Sequence, residues 1–126
     1  MDADLFKPYN DHYGHLYGDA CLKQIADGAQ RAATRSGDLV ARFGGEEFAI
    51  ILPKTMQDSA VALANTILEN LRERRILHEG SPSGIMTLSI GCATVIPQLG
   101  ADSASLVELA DQALYRAKHA GRNCVY

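Results

Sequence analysis

The sequence predicts an α/β fold of the α+β sandwich type, with a mixed sheet on one side and helices on the other. Three observations carry this: helical periodicity in three separate stretches, short β-rich runs between them, and a length of 126 residues at 47% apolar content, enough for one domain with its own core. Charged residues make up 21% and the net charge is −3, which argues against a bulk grip on a nucleic acid polymer. No apolar run reaches the ~20 residues of a membrane span and no secretory leader opens the chain, so the expected setting is the cytoplasm. Cys21, Cys92 and Cys124 are odd in number and lack metal-ligand spacing. Buried thiols in a reducing compartment are expected rather than disulfides.

Asp2 and Asp4 open the chain two residues apart and share a face if that segment is extended. Residues 8–18 are polar, aromatic and glycine-containing, and read as a loop long enough to be functional. From Asp19 to about Thr34, Cys21, Leu22, Ile25, Ala26, Ala29 and Ala32 recur at helical spacing, with Gly37 as terminator. Two β-rich runs, 39–43 and 48–52, flank Gly44-Gly45-Glu46-Glu47 and predict a hairpin, on the ground that glycine reaches positive φ without strain. A second helix follows Pro53 over 58–75, with Val61, Ala64, Leu68 and Leu71 on one face and Thr55 or Asp58 as its cap. Residues 76–84 are a Gly, Pro and Ser-rich loop. Leu88, Ile90 and Cys92 then alternate with Thr87, Ser89 and Gly91, predicting a strand over 85–96. Beyond a loop at 97–102, Ser105 and Glu108 form a capping-box pattern. Leu106, Leu109, Ala110, Ala113, Leu114 and Ala117 continue a helix that Gly121 ends, and 124–126 is a closing strand.

The hairpin tip stands out chemically. Adjacent carboxylates repel, so Glu46 and Glu47 read either as a solvated charged turn or as a site for a divalent cation. Lys118 and Arg122, four apart, share a helix face and by themselves read as a basic end complementing the helix dipole. Asn10 alone is a turn former and Asp19 alone an acid at a helix start. His12 and His15 have no partnering Cys, so structural hydrogen bonding is expected of them rather than metal ligation.

Four stretches taken together carry a resemblance: residues 2–11 (Asp-Ala-Asp-Leu-Phe-Lys-Pro-Tyr-Asn-Asp), 14–19 (Gly-His-Leu-Tyr-Gly-Asp), 41–48 (Ala-Arg-Phe-Gly-Gly-Glu-Glu-Phe) and 110–123, with Thr87 to Gly91 as a fifth, weaker one. In order and spacing the chain resembles the GGDEF family, the diguanylate cyclases. That resemblance implies a palm-like mixed sheet with helices packed on it, related to the polymerase and adenylate-cyclase palm. It implies condensation of two GTP into cyclic di-GMP with release of pyrophosphate, with Mg²⁺ or Mn²⁺, in a homodimer whose GTP sites face across a two-fold axis. Asp2, the Ala3 carbonyl and Glu46 would hold the metal. Glu47 would add to that site or help deprotonate the 3′-hydroxyl, so Asp2, Glu46 and Glu47 form the expected catalytic set. Lys7, Lys118 and Arg122 would face the triphosphate, Phe6, Gly44 and Gly45 would line the substrate site, and Asn10 and Asp19 would read guanine. Arg35-Ser36-Gly37-Asp38 resembles the family's inhibitory Arg-x-x-Asp motif, implying a product site at Arg35 and Asp38. Asp4 is expected to support its loop.

The family's domain begins further upstream, with a helix and then a central strand. Residues 1–126 are therefore expected to form a single domain lacking both, and lacking the sensor or receiver domain that usually accompanies it. Two other readings compete. One is a GTP or cyclic di-GMP binding module without turnover; the other is a structural partner domain whose hairpin is only surface.

Overall fold

A computed structural model of the chain describes residues 1–99 and 102–126. The elements run β1 (Asp2–Ala3), α1 (Phe6–Tyr13), α2 (His15–Ala32), β2 (Leu39–Arg42), β3 (Phe48–Ile51), α3 (Gln57–Arg74), β4 (Leu88–Ser89) and α4 (Ser103–His119). β1 pairs antiparallel with β4, and β2 with β3. Single bridges from Asp2 to Glu47 and from Ile90 to Val125, the latter parallel, join these into one mixed sheet ordered 124–126, β4, β1, β3, β2. The two residues of β1 hold its centre. On one side Phe48 N donates to Met1 O at 2.9 Å, and on the other Asp4 N donates to Thr87 O at 2.9 Å.

The α+β class is as predicted, but the helices cover both faces. Leu88 meets α2 and α3 at Ile25, Ile67 and Leu71. Gly91, on the opposite face with Thr87 and Ser89, lies against α4: a Cβ there would stand 2.8 Å from Leu114 Cα. A sheet buried on both sides needs cover on both, because neither its apolar nor its hydrogen-bonding atoms can be left bare. The core centres on Ile25, Ile67, Leu68, Met86 and Leu88, none more than 2% exposed.

Several local expectations are corrected. The loop predicted at 8–18 is helical, spanning α1 and the start of α2. Phe6 and Tyr9 supply the buried face of α1, and Pro8 sits in the first turn, where a missing N–H costs nothing. Gly14, with φ 85, breaks α1 from α2. Gly37 does not end α2, which stops at Ala32; it serves a turn in which Asp38 N donates to Arg35 O. Neither Thr55 nor Asp58 caps α3, whose N-cap is Met56, and Thr55 Oγ1 donates to Pro53 O instead. The capping box at Ser105 gives way to Asp102, whose side chain accepts from Ala104 N. The long strand predicted over 85–96 shrinks to β4 plus single bridges at Ile85 and Ile90, because β1 offers only two residues of partner. The closing segment does pair: Ile90 N donates to Cys124 O at 3.0 Å and Tyr126 N to Ile90 O at 2.9 Å. Part of the loop predicted at 97–102 lies outside the described residues.

Candidate active site

Backbone pairing, not side-chain affinity, brings the chain's first acids to the hairpin turn. Asp2 bridges Glu47, and Ala3 N donates to Glu46 O at 3.2 Å. Asp2 is buried, and its Oδ2 accepts from Lys118 Nζ at 2.8 Å, which ties the end of α4 to β1. Glu46 is half-buried. Burial first, and then the neighbouring carboxylates of Asp2 and Glu47, push its carboxyl above the usual range, while Lys118 pulls it back. Asp2, Glu46, Glu47 and Lys118 thus share one electrostatic environment in which carboxylates outnumber cations.

Neither glycine of the turn adopts positive φ, contrary to the expectation from the Gly-Gly pair. A Cβ at Gly44 would lie 2.7 Å from Glu47 Oε2, the end of an exposed side chain that folds back over the turn and would have to swing away. Gly45 faces open space. The turn closes through Phe43 N and Gly44 N, both donating to Glu47 O at 2.8 and 3.2 Å. Arg42 clamps it from β2, donating from Nε to Gly44 O and from Nη2 to Gly45 O at 2.6 Å.

A second cluster forms where α1 meets α2. Gly18 is buried, and a Cβ on it would stand 2.9 Å from Asn10 Cγ and 3.1 Å from Phe6 Cζ. Asn10 Oδ1 is buried there with no hydrogen-bond partner among the described residues. Asp19 follows on the exposed side of α2. Lys7 is not brought to the acidic edge: it is exposed and donates to Asp11 Oδ2 at 2.9 Å, and that pairing raises its pKa.

Arg122 does not share a helical face with Lys118 as expected. α4 ends at His119, and Gly121 at φ 109 carries the chain into a turn in which Arg122 itself has φ 65. Arg35 and Asp38 form a tight turn before β2. The Asp38 carboxylate accepts from the Arg35 backbone N–H at 3.0 Å, while the guanidinium reaches Thr55 Oγ1 at 3.4 Å. His12 pairs with Glu79 at 3.4 Å and takes no part in the acidic edge. Cys21 is buried, and that burial pushes its thiol up to about 12; all three cysteines are free.

Sequence reasoning missed Arg42, the role of Gly18 in seating Asn10, and the buried contacts of Asp4, which accepts from Thr87 Oγ1 and Ser89 Oγ at 2.7 and 2.6 Å. The alternating Thr87 and Ser89 were the signal for the last of these. Nothing local marked the first two.

Among the described residues no three His, Cys, Asp or Glu side chains close a cage around an ion, and no helix is long and apolar enough to cross a membrane. Two or three carboxylates on an open edge are nonetheless the donor set that Mg²⁺ accepts, since it keeps waters and substrate phosphates as its other ligands.

The fold and site define a palm-like α+β domain with an acidic sheet edge gripped by a basic helix end. The chain belongs to the diguanylate cyclase GGDEF domain family, which matches residues 1–124. It is 40% identical over 125 residues to diguanylate cyclase A of Treponema denticola, covering 99% of this chain and 33% of that protein. To diguanylate cyclase DgcM of Escherichia coli K12 it is 44% identical over 125 residues, covering 99% and 29%. The chain therefore spans about a third or less of the length of these relatives. Among solved structures it is similar to the GGDEF domain of DgcB from Caulobacter crescentus in complex with c-di-GMP, with TM-score 0.83, 32% identity and 98% and 72% of the two chains covered. The active GGEEF domain of a diguanylate cyclase from Vibrio cholerae gives TM-score 0.80 at 30% identity, covering 99% and 78%.

Proposed function

We propose that this domain condenses two GTP molecules into cyclic di-GMP, releasing pyrophosphate, as a homodimer in the cytoplasm. The observation that carries this reading is the meeting of Asp2 and Glu46 on one sheet edge beside Lys118, in a chain of this family. Asp2, Glu46, Glu47 and the Ala3 carbonyl would hold Mg²⁺ or Mn²⁺, which when bound would supply positive charge for the triphosphate and the attacking 3′-hydroxyl. The chain's own part is positioning and charge complementarity, so no nucleophilic side chain is needed.

Lys118 and Arg122 take the triphosphate, with Lys7 joining them on release from Asp11. Asn10 and Asp19 accept from the guanine edge. The unpartnered Asn10 Oδ1 suits a base that brings its own donors, because an unmatched buried acceptor is costly without one. Phe6 backs that pocket, and Gly44 and Gly45 leave room for the nucleotide at the turn. Arg35 and Asp38, at the opposite end of β2 from the turn, bind the product and inhibit turnover.

Incubation with GTP and Mg²⁺, followed by chromatography, is expected to yield cyclic di-GMP and pyrophosphate. Glu46→Gln is expected to abolish both while keeping the fold. GTP binding without product would instead identify a binding module, and absence of metal-dependent nucleotide binding would defeat both readings.

A further inference from the structure

Asp4 lies on the same face of the chain as Asp2, yet it does different work. Its carboxylate is 3% exposed and accepts three hydrogen bonds, from Thr87, from Ser89 and, at 3.1 Å, from the backbone N–H of Asn123. Asn123 is held from the other side by Arg72 of α3. Arg72 Nε donates to Asn123 Oδ1 at 2.8 Å, and its Nη2 donates to the Asn123 carbonyl at 2.5 Å. Asn123 therefore has its N–H, its carbonyl and its side chain all engaged.

This matters because of the backbone it sits in. Arg122 and Asn123 are consecutive left-handed residues, at φ 65 and 53, directly after Gly121 at φ 109. A side-chain-bearing residue keeps that conformation only where its surroundings enforce it. Among the described residues the Arg122 guanidinium makes no ion pair, so no partner side chain fixes it and the turn's backbone sets only where its stem leaves the chain.

We propose that Asp4 and Arg72 are positioning residues for the triphosphate: by locking Asn123 between them they hold the left-handed turn that aims Arg122. The inference rests on Arg122 being a phosphate ligand. The chain at and just after β1 then grips α4 and the turn beyond it on one face, through Asp2 to Lys118 and through Asp4 to Asn123. The metal-facing strand and both phosphate-binding cations are thereby kept in register. Arg72 also pairs with Glu69, which holds its guanidinium at the end of α3.

The test is a double-variant cycle read by calorimetry with 3′-deoxy-GTP, which has no nucleophilic hydroxyl and cannot turn over. Arg122→Ala and Arg72→Gln are each expected to weaken binding about tenfold, the size of a lost charge-assisted hydrogen bond. Arg72→Gln in the Arg122→Ala background is expected to add nothing. Asn123→Asp, which keeps an acceptor for Arg72 and tolerates the left-handed region, is expected to bind as the unaltered chain does. If Arg72→Gln does not fold, Asn123→Gly, which deletes the side-chain link to Arg72 and accepts the left-handed conformation without strain, takes its place in the cycle. Additive losses, or full affinity in Arg72→Gln, overturn the inference. Full affinity in Arg122→Ala overturns the phosphate reading beneath it.

Discussion

One methyl group added at Gly91 measures how closely α4 lies on the sheet. A Cβ there would stand 2.8 Å from Leu114 Cα and closer still to Leu114 N and Ala110 O, all of them backbone atoms. Ordinary carbon–carbon contact is about 3.5–4.0 Å, so α4 must withdraw by about 1 Å. A side chain could rotate away; a helix backbone cannot. Overpacking costs about 1–3 kcal/mol, and with backbone on the far side Gly91→Ala is expected near 3 kcal/mol. For a domain of this size that lowers Tm by roughly 10 °C. The same retreat opens the 2.8 Å bond between Lys118 and Asp2 past hydrogen-bonding range, so GTP turnover should fall by about tenfold or more even where the fold persists. Urea unfolding followed by circular dichroism gives the first quantity and steady-state kinetics the second. Gly45→Ala is the control: its Cβ meets nothing within 4 Å, and its stability should stay within about 0.5 kcal/mol of the parent. A Gly91→Ala loss as small as that of the control would refute the reasoning.

Gly18→Ala puts a methyl where the Asn10 amide now sits, forcing that side chain out of its place beside Phe6. The KM for GTP should rise by about tenfold, and an unchanged KM would show that Asn10 does not read the base. Cys21 behaves oppositely to a reactive thiol. An unfolded thiol ionises near 9.0 and the folded one at about 12, so the folded state holds the proton more tightly between those values. Stability from this group is complete below pH 9.0 and is lost as pH rises toward 12, and Cys21→Ala should flatten that alkaline decline. Iodoacetamide at about pH 8 should label Cys21 only as fast as the chain unfolds; immediate labelling would contradict the burial.

Much of the fold was legible because helical periodicity is a local property. α2, α3 and α4 announce themselves through apolar residues three and four apart, and the hairpin through its two β-rich runs. α1 escaped because its buried apolar face is only Phe6 and Tyr9, in an eight-residue helix where Lys7, Asp11 and His12 are exposed and polar composition reads as a loop. β4 was overestimated because alternation shows which residues can pair, whereas the length of the neighbouring strand decides how many do. In the site, the motif residues could be named from their order and spacing, yet the exposed pairing of Lys7 with Asp11 could not be foreseen from them. Gly44 and Gly45 were credited with a positive φ that the turn does not use.

By itself the sequence determined the chemistry on offer: three carboxylates at a strand and a turn, two cations near a helix end, and the amide of Asn10 with the acid of Asp19. It also revealed three of the four helices, α2, α3 and α4, since their periodicity depends on neighbours within one or two turns. Only the tertiary structure decided that Asp2 and Asp4 divide their labour, one facing Lys118 and the other Asn123, 119 residues along the chain. The physical reason is that such pairings are fixed by strand register and by which helix covers which face, and both are settled by the core as a whole.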